Sequence, residues 1–189
     1  MGCKLEKKII YFEKAGKINT EQTLRLAKER AIVLGINTIV IASSSGYTAK
    51  KAFEILGNTN CKLVIGGISR QRFSSELLKI LEEKGVLVRF SSEVEYSYPE
   101  QMRNALNKLS TGIKVVMDLG MIVAEEGLVL ESEEVIAIAG TGRSGGRFPE
   151  GGGADTAVVM VPRRSEDFNR LPEKKDDRRE IREIICKPR

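Results

Sequence analysis

Three observations predict a three-layer α/β/α sandwich built on a mainly parallel sheet. Short apolar runs rich in β-branched residues recur along the chain, at Thr38–Ala42, Cys61–Ile65, Val86–Phe90, Val135–Ala139 and Ala157–Val161. Such runs, without polar alternation, fit strands covered on both faces. Segments with helical apolar spacing separate several of them. No internal repeat and no long linker divides the 189 residues, so residues 1–189 read as a single α/β domain.

The elements follow in order. Lys8–Phe12 is a short β-rich run ending at Gly16. Asn19 stands as an N-cap with Gln22 in capping-box position, Leu24, Ala27, Ala31 and Leu34 repeat at helical spacing, and Gly35 stops the helix. The strand Thr38–Ala42 turns through Ser43–Thr48 into a helix ending at Leu56 and Gly57. After Cys61–Ile65 come a helix over Ser74–Lys84, closed by Gly85, and the strand Val86–Phe90. Pro99 opens a helix to Leu109, and a second spans Ile113–Glu126. That second helix is apolar on nearly every side, which calls for burial in the layers or at a subunit contact and leaves a homo-oligomer open. The strand Val135–Ala139, a glycine-rich loop to Gly153 and the strand Ala157–Val161 follow. Arg163–Asp177 reads as a charged loop, and Ile181–Ile185 as an extra C-terminal strand at the sheet edge.

Composition removes much chemistry. The chain has no histidine, which excludes Ser-His and Cys-His nucleophile pairs, His bases and His-ligated metals. Cys3, Cys61 and Cys186 are odd in number and widely spaced, unlike a disulfide framework or a zinc site, so no metal is expected. Scattered thiols, no apolar leader and no apolar span predict a soluble cytoplasmic protein without a membrane partner. The net charge of +5 does not mark a nucleic-acid surface. Residues 163–189 hold ten Lys or Arg and seven Asp or Glu, closely mixed and without interleaved aromatics.

In open α/β sheets ligands bind beyond the carboxyl ends of the strands. The strongest candidate there is Ser43-Ser44-Ser45-Gly46-Tyr47-Thr48, where hydroxyls, unpaired amides and a helix N-terminus converge as in a phosphate cradle. A polar strand-to-helix turn with a serine cap explains the same residues equally well. Gly140-Thr141-Gly142-Arg143 opens a segment with seven glycines in 14 residues. It matches G-x-G-x-x-G literally, but no helix follows, so it is not a dinucleotide fingerprint. Its Arg143 and Arg147 suit phosphate and Phe148 suits a planar ring. Asn19 and Thr20 start a helix at the same sheet edge. Asp118, in the apolar helix, has Lys114 one turn away as a salt-bridge partner. No residue set identifies a catalytic centre.

The segment Thr38–Ala52 followed by Cys61–Ile65 resembles the C-terminal α/β domain of pyruvate kinases, whose Thr-x-Ser-Gly-x-Thr-Ala turn is matched by Ser43, Ser45, Gly46, Thr48 and Ala49. In those kinases the turn holds a phosphate of the effector fructose bisphosphate, and Tyr47 here takes the place of a frequent Arg. With Asn19-Thr20, Gly140-Thr141-Gly142, Ala154–Ala157 and the ending Ile184–Arg189, the whole chain is similar to a family of stand-alone archaeal proteins with this domain type. The resemblance implies FMN as a ligand and one antiparallel edge strand. It does not imply pyruvate kinase activity, which resides in a separate β/α barrel for which this chain has no room.

These readings lead to a module that binds a phosphorylated small molecule, FMN first. Asn19, Thr20, Ser43–Thr48 and Gly140–Arg143 are its expected contacts, and a Gly46→Val variant is expected to lose binding with the fold intact. A small flavin-dependent oxidoreductase and an effector-sensing regulatory or assembly module are the alternatives.

Overall fold

The computed structural model of the chain describes residues 6–130, 132–141, 152–168 and 180–189. The strands are β1 (Ile10–Phe12), β2 (Thr38–Ala42), β3 (Lys62–Gly67), β4 (Leu87–Phe90), β5 (Val135–Ala139), β6 (Thr156–Met160) and β7 (Ile181–Pro188). The helices are α1 (Thr20–Leu34), α2 (Tyr47–Leu56), α3 (Ser75–Glu83), α4 (Glu100–Leu109) and α5 (Thr111–Glu125), with a single turn at Ser165–Phe168 inside the expected charged loop. All seven strands form one sheet in the order β1-β7-β6-β5-β2-β3-β4.

The sheet is mainly parallel, and its exception is not at an edge. Only β6 runs against its neighbours, β5 and β7, three positions in from the β1 side. The C-terminal strand is likewise internal, because β1 pairs parallel outside it, Ile10 opposite Cys186. Residues from the two ends of the sequence thereby close one side of the molecule. The short β1 run gives no sign in sequence of where it will dock.

Alternation along the strands divides the core between two faces. Ile39, Ile41, Ile65, Ile136 and Ile138 meet α1, α2 and α3 on one face, through Leu24, Ala27, Leu56 and Leu81. Val40, Val64, Val135, Ala137 and Ala139 meet α5 on the other, through Ile113, Val116, Leu119 and Val123. Helix α4 lies on α5, with Leu106 packed into that second core. The all-round apolar character of α5 is thus satisfied within one chain. Caps follow the sequence at several ends: Ser74 and Ser110 accept from Leu77 N–H and Ile113 N–H, and Gly35 closes α1 in the left-handed region. No described helix is long and apolar enough to cross a membrane.

A bidentate pair ties α1 to β7, with Arg30 Nε and Nη2 donating to the Glu183 carboxylate at 2.7 and 2.6 Å. The bonds from Arg30 hold the Glu183 pKa below its ordinary value, against the opposing effect of burial. A carboxylate depressed on folding stabilises above its unfolded pKa, and that stability is lost as pH falls through the folded value. Arg30→Gln should therefore cost about 1 kcal/mol at pH 7, and the difference from wild type should vanish as acid protonates Glu183. Urea denaturation at pH 7 and at successively lower pH measures both arms.

Candidate functional site

Strand β2 is where the chain order of the sheet reverses: β3 lies on one side of it and β5 on the other. The loops leaving the carboxyl ends of β2 and β5 part there and leave a crevice, the usual ligand position in an open α/β sheet. A cleft of about 1060 Å³ opens at this point. Its lining includes Ser43, Ser44, Ser45, Tyr47 and Thr48 after β2, and Gly140 and Thr141 after β5. Of the remaining sequence-based candidates, Gly142 and Arg143 lie outside the described residues, as do Arg147 and Phe148.

Within the Ser43–Thr48 turn the work is divided. Ser43 is buried, and its Oγ accepts from Ala49 N–H at 3.1 Å while its own N–H donates to Gly66 O. This hydroxyl therefore caps α2. Ser44 and Ser45 are exposed to the cleft. Among the described residues, no hydrogen bond reaches the backbone N–H groups of Ser44, Ser45, Gly46, Tyr47 or Thr48. These donors and the positive end of the α2 dipole give the turn its anion-binding capacity.

Gly46 has φ +93°, and a β-carbon there would lie 2.7 Å from Leu77 Cδ2 and 3.7 Å from the Phe73 ring. The glycine is fixed by packing against α3 and the turn before it. Gly46→Val would strain the fold itself, contrary to the expectation of a binding defect alone.

Asn19 and Thr20 do not line the cleft. The expected capping box is absent: Asn19 Nδ2 turns back to Lys14 O at 2.6 Å, and a 3₁₀ turn over Lys17–Asn19 leads into α1. Thr20 is buried; its hydroxyl donates to Lys17 O and accepts from Ala154 N–H. Both residues shape the loop that delivers Lys17 to the cleft, where its Nζ sits 3.9 Å from the centre of the Tyr47 ring.

The residue that sequence reasoning passed over is Asp155. Fully buried at the start of β6, its carboxylate accepts from Gly16 N–H at 2.7 Å, from Thr141 N–H at 3.0 Å, and from the Thr141 and Thr156 hydroxyls at 2.9 Å each. It pins the loop after β1 to the loop after β5. Gly140 and Gly153 close the same junction, since a β-carbon on Gly140 would overlap Gly153 O and one on Gly153 would overlap Lys17 and Thr20. The ends of the glycine-rich segment are thereby held at the rim of the cleft. The signal was an aspartate amid small residues next to a buried strand, which resembles an ordinary turn.

The far wall comes from α4 and α5. Arg103, Asn107, Thr111 and Lys114 line it, and Arg72 joins from the β3–α3 loop. Lys114 forms the expected salt bridge with Asp118, which also accepts from Tyr98 Oη at 2.6 Å. Burial, then the bond to Asp118, pushes the Tyr98 pKa up, so Tyr98 stays a neutral donor. Among the described residues the cleft lining contains Lys17, Arg72, Arg103 and Lys114 and no Asp or Glu. Among the described residues there is no cluster of metal-binding side chains. Burial pushes the Cys186 thiol up to about 11, far from a nucleophile's range.

No protein-family model matches the chain. Among solved structures it is similar to Cryptosporidium parvum pyruvate kinase in complex with ADP, at 16% identity and a TM-score of 0.43. The similarity covers 76% of this chain and 24% of that one, so the chain spans about a quarter of that enzyme.

Asp155→Asn replaces one acceptor oxygen by an amide that faces N–H donors. The variant should lose about 3 kcal/mol of stability, the order for hydrogen bonds to a buried charged group. Amide exchange at Gly16 and Thr141 should accelerate more than at β2 or β3, as hydrogen exchange read by NMR will show.

Proposed function

We propose that the chain is a binding module for a small phosphorylated molecule with a planar ring, FMN first. The observation that carries this reading is that, among the described residues, the N–H groups of Ser44–Thr48 are unbonded and the charged residues lining the cleft are all cationic. Anionic oxygens are the complement of both features. Ser44, Ser45 and the amides through Thr48 would hold the phosphate, with Lys17 and Arg72 nearby. Gly140 and Thr141 would border the rest of the molecule.

FMN meets the fit of the residues present. The volume of about 1060 Å³ suits a ligand of its size or larger, given roughly 300–1,000 Å³ for typical small-molecule pockets. The Tyr47 ring offers a stacking face at the mouth. FMN when bound supplies hydride and single-electron chemistry. The chain's own contribution would be to bind and orient it. The resemblance to the stand-alone archaeal family supports the same ligand.

Ser45→Asp separates binding from folding. A carboxylate in the first turn before α2 favours the helix dipole by about 0.5 kcal/mol, yet it repels a phosphate. Titration with FMN, followed by the visible flavin band and by quenching of flavin fluorescence, should give saturable binding to the wild type. Inorganic phosphate should compete. Ser45→Asp should weaken FMN binding at least tenfold while its melting temperature is kept or raised. Equal FMN affinity in the two proteins would overturn the assignment of the turn. A protein that ignores FMN but binds inorganic phosphate would replace the flavin by another phosphorylated compound.

A further inference from the structure

The sheet ends in β4 on one side and β1 on the other, and the two end strands differ. At β4 a charged side chain occupies the backbone: Arg89 Nη1 donates to Val88 O at 2.9 Å, and the same guanidinium is bonded to Glu126. Such a cover discourages a further strand. At β1 the backbone is open. Phe12 O accepts from Arg189 N–H, just past the end of β7, so Phe12 and, two residues back, Ile10 turn their backbone groups toward β7. The N–H and C=O of Ile9 and Tyr11 therefore point away from the sheet, and among the described residues no strand pairs with β1 on that side. Ile10 and Phe12 send their side chains into the core on the α1 face. Ile9 and Tyr11 lie on the other face, Ile9 half-buried and Tyr11 53% exposed.

The residues around this edge complement themselves. In an antiparallel pairing centred on Ile10, Ile10 meets Ile10 of a second copy, Ile9 meets Tyr11, and Lys7 meets Glu13. The outward-facing Ile9 and Tyr11 then form a hydrogen-bonded pair, each donating to and accepting from the other. An aromatic side chain lies against a β-branched one on the exposed face, and opposite charges meet where Lys7 faces Glu13. Other registers fail. A slip of one residue opposes an outward-facing residue to an inward-facing one. A slip of two sets Lys8 against Lys14 in one direction, and Lys8 against Ile10 in the other. We propose that β1 is the contact edge of a homodimer, pairing antiparallel with β1 of a second copy about a twofold axis at Ile10. An isologous contact suits this edge, because each copy supplies both the cation and the anion. Lysines at a sheet edge repel strands in general; here Lys7 meets a carboxylate in one register and so selects the chain itself as partner. The dimer goes beyond the ligand reading and does not depend on it.

The test uses the whole chain at low ionic strength. A single strand pair is a small contact, so a dissociation constant of about 0.1 mM or tighter is expected. Sedimentation equilibrium of the wild type, carried tenfold above that concentration, should show the mass rising to twice that of one chain. Over the same range, amide exchange read by NMR should slow at Ile9 and Tyr11 and change less than twofold at Ile10 and Phe12. Lys7 and Glu13 are exposed, so Lys7→Glu and Glu13→Lys leave the core untouched. Each variant alone sets like charges against each other at both ends of the pair and should weaken self-association at least threefold. An equimolar mixture of the two restores opposite charges at both ends and should associate within twofold of the wild type. A wild type that stays monomeric throughout overturns the proposal. So does a dimer whose Ile9 and Tyr11 amides exchange as fast as in dilute solution. A mixture no tighter than either variant alone overturns the register, and the β1 contact with it. The phosphate reading stands in all three cases.

Discussion

The cleft depends on one buried carboxylate. Asp155 stands at the start of β6, where the loop after β1, 139 residues away in sequence, meets the loop after β5. Each brings polar groups that burial would otherwise leave without partners. A carboxylate, with two oxygens and several lone-pair directions, satisfies donors arriving from all three at once, which no neutral side chain of that size can do. Because the loops are fixed to it, Lys17 is delivered beside Tyr47, and Gly140 and Thr141 are held at the rim. The antiparallel strand β6 is what places Asp155 there, since its N-terminal end lies beside the carboxyl ends of β5 and β7, against which it runs.

The polar residues at this edge fall into two kinds, and the difference is one of burial. Ser43, Asn19 and Thr20 are buried and complete bonds within the chain; they maintain the shape of the crevice. Ser44, Ser45 and the amides that follow face the cleft with their hydrogen-bonding capacity unspent. The serine run therefore divides: Ser43 serves as a cap, and Ser44 and Ser45 line the cleft. Leu77 and Phe73 behind Gly46 press the turn into place from α3 and the preceding turn. The positive φ of +93° at Gly46 strains any other residue there.

Electrostatics gives the cleft its preference. The closely mixed charges of the chain as a whole suggest no partner, yet the cleft gathers Lys17, Arg72, Arg103 and Lys114 from four separate regions, and no carboxylate among the described residues lines it. Asp118 sits behind Lys114, bonded to it and to Tyr98 Oη.

The sequence alone determined what depends on local pattern. Continuous apolar runs identified the strands, helical spacing the helices, and the polar turn after Thr38–Ala42 the first part of the cleft, because strand burial, amphipathicity and turn chemistry are written in neighbouring residues. The Lys114–Asp118 pair, one helical turn apart, was legible for the same reason. Tertiary structure alone decided which strand lies beside which. It placed β5 next to β2, moved β6 and β7 inside β1, and brought Asp155, Lys17, Arg72 and Arg103 to one crevice. Those residues are separated by tens of positions and carry no mutual spacing to read. Only the order of strands in the sheet, set by how all the apolar faces are covered at once, makes them neighbours.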